Sequence, residues 1–164
     1  MIRLGTRFGK DQRGSAAAEI ALILPMMLVV LFSTFEAGHY FYTEHKIIKA
    51  VRQGARYAGR LPFDTYTCPS TVNGAAVSQI KTVTRTGSVG GTDPLIKDWT
   101  DGDITVSVLC NSSTTTGVFR SKTGGAPVVT VSATASYPSL FDFLLAQGES
   151  VQVFASAQAT VNGI

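Results

Sequence analysis

A chain of 164 residues, 45% apolar and 15% charged, has room for one domain and an anchor. Of its 14 cations and 11 carboxylates, Arg3, Arg7, Lys10, Arg13 and Asp11 lie in the first fourteen positions, so ten of each sign remain and the net +3 belongs to this leader. A basic flank beside an apolar run marks the cytoplasmic side of a membrane, and nothing here indicates a nucleic-acid surface, which needs clustered Lys and Arg on the folded part.

After the leader (residues 1–14) comes Gly14-Ser-Ala-Ala-Ala-Glu19, then the uncharged run Ile20 to Phe35. As a helix that run spans ~24 Å, short of a ~30 Å hydrocarbon core. Extended back to Ala16 and forward to His39-Tyr-Phe-Tyr42, whose aromatics suit the outer interface, it predicts one transmembrane helix over residues 15–40 with its N-terminus inside. A secretory signal peptide fits poorly. Cutting after Ala37 or Gly38 would put Phe35 or Glu36 at the −3 position, where a small residue is needed.

Three residues inside this stretch stand out. Glu19 carries a carboxylate into the membrane, unfavourable by ~2.5–3.5 kcal/mol at a helix centre and less near an end. It either sits among headgroups near Arg13 or has a dedicated partner. Pro25 removes a backbone hydrogen bond and predicts a bend near Leu22–Pro25. Glu36, at the outer end, either snorkels to the interface or meets an assembly partner.

The helical pattern continues as an amphipathic stalk over residues 41–60. At about 100° per residue, with Lys46 as origin, Ala37, Tyr40, Phe41, Ile47, Ile48, Val51, Ala55 and Ala58 fall on one face. Lys46, Lys49, Arg52, Arg56 and Arg60 fall on the other, which is a clear amphipathic division. The pattern predicts one helix from Ser15 to about Tyr57, ended by Gly59 and Pro62. Glu44 falls inside the apolar face, and is either wet at the membrane edge or paired with the head or a neighbour. The basic stripe reads first as a solvated face, with lipid phosphates or an acidic patch on another subunit as alternatives. His39 and His45 diverge by about 120° and read as interfacial or surface residues.

The head, residues 61–164, reads as α+β. Thr65 to Gly74 is loop, Ala75 to about Arg85 a short helix with Val77, Ile80, Lys81 and Thr84 along one side, and Asp98 to Asp103 a turn region around Trp99. Alternation predicts strands over Ile104–Cys110, Val128–Tyr137 and Val151–Val161. Between them lie a Ser/Thr/Gly-rich loop (Asn111 to Gly125) and an apolar connector (Leu140 to Ala146). Three antiparallel strands packed on an amphipathic helix form a stable small domain.

Cys68 and Cys110 lie beyond the apolar run. If the leader stays in the cytoplasm both are exported, and a Cys68–Cys110 disulfide is the natural reading, two unpaired cysteines the alternative. Neither has a nearby Cys or His, so no metal site is expected. No catalytic set is found. There is no Gly-x-Ser-x-Gly elbow, Gly87-Ser-Val-Gly-Gly91 lacks the lysine of a P-loop, and Asp98, Asp101 and Asp103 do not fit an EF-hand. Asn111-Ser-Ser113 matches a glycosylation sequon but carries little weight.

The basic leader, Gly14, Glu19 five residues on, and the continuous stalk together resemble the TadE-like pseudopilin family of Flp/Tad-type pilus assembly systems. The pattern from Val131 to Val153 is similar to the C-terminal part of such proteins. The resemblance implies a pilin-like fold and cleavage between Gly14 and Ser15 by a membrane prepilin peptidase. It further implies that Glu19, then the fifth residue, neutralises the new N-terminal amine of a neighbouring subunit. The implied function is a non-enzymatic minor pseudopilin of a pilus assembly or secretion system, since major Flp pilins resemble a nearly bare helix and this chain carries a head. Its implied partners are the peptidase, other pilins and pseudopilins, the inner-membrane assembly platform and the lipid bilayer, with no cofactor and no nucleic acid. Its implied place is the inner membrane, single-pass, with the head periplasmic or extracellular. The alternative is an uncleaved single-pass membrane protein with an exported binding domain.

Overall fold

The computed structural model describes residues 14–111, 119–120, 124–141 and 151–163. The leader before Gly14, most of the Asn111 to Gly125 loop and the connector beyond Phe141 lie outside the described residues. The fold is α+β, as expected: a long helix α1 (Ser15–Arg60), a short hairpin β1 (Tyr66–Thr67) and β2 (Thr71–Val72), a second helix α2 (Gly74–Thr86), and a sheet of β3 (Ile104–Asn111), β4 (Ala126–Ser136) and β5 (Gln152–Thr160). The sheet is antiparallel in the order β3-β4-β5.

α1 runs 46 residues without interruption, about 69 Å at helical rise. It passes through Gly59, which is buried, and stops at Leu61, whose extended backbone (φ −65°, ψ 151°) is the conformation required before Pro62. Gly59 is therefore not the terminator that the sequence predicts. It lies under β5, where a Cβ would come within 3.0 Å of the Thr160 carbonyl oxygen and 3.3 Å of the Ala159 Cβ. The helix end is sealed at the Ala58 carbonyl, which accepts both the Leu61 amide at 3.2 Å and the Tyr66 hydroxyl at 2.6 Å.

The buried face of α1 comprises Thr43, Ile47, Ala50, Val51, Gly54, Ala55, Ala58 and Gly59. It is broader than the predicted stripe and displaced toward small residues. Ala37 and Phe41, placed on the apolar face by periodicity, are exposed, Phe41 at 57%. Two causes account for this. The head reaches over only the upper part of the helix, and close helix packing selects Ala and Gly, which a hydrophobic count undervalues. Gly54 is the clearest case: a Cβ there would collide with the Thr84 Oγ1 of α2.

Register explains the sheet. Ile104, Ala133 and Ala155 form one cross-strand row, Val106, Val131 and Ala157 the next, and Val108, Val129 and Ala159 the third. These rows point at the helices, while Thr105, Ser107, Ser132, Thr130, Ser156 and Gln158 take the opposite face, the alternation a pleated sheet imposes. Alanines on β5 let α1 lie close. Ile47, Val51, Val129 and Val131 are fully buried, each contributing about 1.5–3 kcal/mol relative to exposure.

α2 begins at Asn73, whose side chain accepts the Ala75 amide at 2.9 Å, and ends at Gly87 in the left-handed region (φ 80°). Its buried residues are Ala76, Ile80, Val83 and Thr84; Val77 and Lys81, predicted on the same side, are half-buried flanks. Trp99 is buried with its indole N–H donating to the Thr134 carbonyl at 2.8 Å. The disulfide is formed: Cys68 and Cys110, 42 residues apart, join the hairpin turn to the end of β3.

Candidate functional site: the helix entrance and the head–helix junction

At the entrance, Gly14 sits in helical backbone (φ −87°, ψ −17°) immediately before the first residue of α1, with no side-chain cap on the helix. A Cβ at Gly14 would touch nothing within 4 Å, and Gly14 to Leu31 are exposed throughout. Among the described residues nothing packs against Gly14. Glu19 lies one turn above Ser15, at the i, i+4 spacing that puts two side chains on one face. Among the described residues α1 is the one helix long and apolar enough to cross a membrane, and none of its most apolar window is buried within the chain. A core helix of a soluble domain would be mostly buried there. Exposed Ile20, Leu22, Met26, Met27, Val29 and Val30 instead face outward all round, as lipid or a neighbouring helix requires.

Higher up, the head grips the helix at a junction that the sequence does not announce. Tyr137, at the end of β4, is buried and reaches Glu36 and His39. Its hydroxyl donates to the Glu36 carbonyl at 3.1 Å and is in hydrogen-bond contact with His39 Nδ1 at 3.0 Å. Its ring meets Tyr40 edge-on, with centroids 5.4 Å apart. Beyond Pro138 the chain turns along α1. The Leu140 amide donates to Glu36 Oε2 at 3.2 Å, and Phe141 packs on Phe32 at 4.9 Å.

Within the chain the Glu36 carboxylate thus has a contact that the sequence alone does not name, the Leu140 amide at the start of the connector. His39, expected at an interface or surface, is half-buried in this junction, because Tyr137 offers it a hydroxyl. His45 is exposed, as expected, and Glu44 is half-buried. The signal for the junction was available in part. A carboxylate inside an apolar helix asks for a donor, and Tyr137-Pro138 ends a strand abruptly; their pairing was not legible. Burial first, then the Glu36 carboxylate, pushes the Tyr137 phenol up to about 12. Burial also pushes Tyr66 up to about 12.

The acids of the turn region have local duties. Asp101 accepts Arg85 Nε at 2.8 Å, and Asp103 Oδ2 accepts both the Thr100 amide and hydroxyl at 2.8 and 2.7 Å. Among the described residues no group of three or more His, Cys, Asp or Glu side chains converges as a metal site. Lys49, Arg52, Arg56 and Arg60 line one side of a groove of about 640 Å³ between α1 and the end of α2.

No curated protein and no solved structure matches this chain. A family model does: residues 14–56, from Gly14 into the buried part of α1, match the model described as TadE-like protein, and that segment is what the chain shares with the family.

Proposed function

We propose that this chain is a minor pseudopilin of a Tad/Flp-type pilus assembly or secretion system, matured by a prepilin peptidase between Gly14 and Ser15. The observation that carries the reading is the entrance of α1. An unhindered glycine directly precedes an unbroken helix whose first half is apolar and unburied, inside the segment that matches the TadE-like family. Residues 15–40 would span the inner membrane, 41–60 form the stalk, and 61–164 the exported head. Cleavage would free an amine on Ser15, one turn below Glu19. A carboxylate there offsets that charge, its own or a neighbour's, and lowers the cost of carrying both into lipid. The head and its disulfide are structural in this reading, and the partners are other pilins, pseudopilins and the assembly platform.

N-terminal sequencing of membrane-extracted protein, made with and without the peptidase, tests it. A chain that starts at Ser15 only when the peptidase is present supports the proposal. One that starts at Met1 in both preparations overturns it and leaves a tethered, uncut module. Glu19→Gln is expected to leave cleavage intact and reduce assembly output.

A further inference from the structure

The groove between the upper part of α1 and the end of α2 is unlike the rest of the surface. Lys49, Arg52, Arg56 and Arg60 stand along one wall at spacings of three and four residues, all exposed, and no acid lines the groove. The only salt bridge among the described residues, Arg85 with Asp101, leaves all four cations out. Like charges at these spacings destabilise a helix. The helix dipole favours Arg60, in the last turn, but gives no reason for Lys49 or Arg52 mid-helix. The other wall is uncharged: Val83, Gly87, Ser88 and Val89 line it, with Val83 buried and Val89 67% exposed, and Tyr57 lines the groove from α1. The Tyr57 hydroxyl is engaged by Gln79, and Gln53 bonds the Gly87 carbonyl, so the floor is braced.

The cations climb the helix axis. From Lys49 to Arg60 they cover about 16 Å, and Lys49 is itself about 14 Å above residue 40. A bilayer whose surface lies near residue 40 is more than a Debye length of about 8–10 Å below even the lowest of them. Lipid headgroups therefore do not fit the stripe. A polyphosphate strand would use the cations but not Val83 and Val89, and a single half-buried tyrosine is no stacking platform for bases.

We infer that this groove binds an acidic, partly apolar segment of another exported protein, with carboxylates along the Lys49–Arg60 wall and apolar side chains against Val83 and Val89. The inference is independent of cleavage at Gly14, since an uncut tethered protein carries the same groove.

The test uses the full chain in nanodiscs of zwitterionic lipid. The probe is a fluorescein-labelled peptide of about 14 residues with glutamates at i, i+4 spacing and leucines beside them, read by fluorescence anisotropy. Three comparison ligands are the same peptide with serines for leucines, an oligothymidylate of equal charge, and competing vesicles of phosphatidylglycerol. The leucine peptide is expected to bind at least about tenfold more tightly than the serine peptide or the oligothymidylate. Arg52→Ala with Arg56→Ala is expected to remove most of that binding, and Val89→Ser to weaken it while leaving the charge unchanged. All three positions are exposed, and circular dichroism checks that the fold is kept. Equal or tighter oligothymidylate binding, full displacement by the vesicles, or indifference to both sets of variants overturns the inference.

Discussion

The Tyr137 hydroxyl reaches back 101 residues to the Glu36 carbonyl, 3.1 Å away, and ties the end of β4 to the middle of α1. This bond and the His39 contact make the junction a polar clasp set in an aromatic cluster. Tyr137→Phe keeps the ring against Tyr40 and removes the hydroxyl. It is expected to lower stability by about 1 kcal/mol, the usual net worth of such a bond. A double-mutant cycle with His39→Ala is expected to show coupling, the second substitution costing less once the hydroxyl is gone. Thermal unfolding of the detergent-solubilised protein reads both, and additive losses would show that His39 and Tyr137 act separately.

The contact of Gly54 with Thr84 gives a test with two opposing terms. Alanine is favoured over glycine in a helix by about 1 kcal/mol. At this position the new methyl meets Thr84 Oγ1, which is fixed by its bond to the Ile80 carbonyl at 2.7 Å. Overpacking of this kind costs about 1–3 kcal/mol. Gly54→Ala is therefore expected to destabilise. In a Thr84→Ala background, where the nearest remaining atom is the Cβ 3.1 Å away, the same change is expected to cost less than in the native background, measured by denaturant midpoint.

Alkaline titration tests the two buried phenols. Tyr66 and Tyr137 are both held up to about 12 against an ordinary value of 10.0. A raised phenol pKa means that the fold favours the neutral form. Their contribution is complete below pH 10 and is lost as pH climbs from about 10 to about 12. Unfolding followed against pH is expected to be flat through the neutral range and to fall across that alkaline window. Tyr66→Phe and Tyr137→Phe are each expected to flatten part of the fall.

The Cys68–Cys110 bond closes a loop of 42 residues between the hairpin and β3. Cross-linking a loop of this length restricts the unfolded chain by about 4 kcal/mol in the chain-entropy model. Cys68→Ser with Cys110→Ser is expected to lower stability by up to about that amount. The loss should appear first as faster amide exchange in residues 66–72, while the strands of the main sheet stay protected.

What could be read from the residues in order was whatever is local. The alternation of Ile104, Val106 and Val108 marks β3 because a strand repeats every two residues. Lys46, Lys49, Arg52 and Arg56 mark the wet side of α1 because a helix repeats every 3.6. The start of α1 at Ser15 was legible because an uninterrupted helical run begins there. The true buried face was not, because Ala50, Gly54 and Gly59 matter through the approach of a second element, which their own chemistry does not report. The Glu36–Tyr137–His39 contact joins positions 98 and 101 residues apart. A one-dimensional pattern carries no such information.

β5 is the last of the described elements, and it supplies Val153, Ala155, Ala157 and Ala159 to the core beside α1. During synthesis α1 emerges well before β5, so the part of its face near Gly59 that β5 covers stays bare until residue 160 has been delivered. A polypeptide stopped before Gln152 would present that strip, together with the unpaired side of β4, to whatever surrounds it. Completion of the carboxyl-terminal strand is thus the event that hides the rod's inner surface, and truncated products should be conspicuous to proteases that seek uncovered backbone.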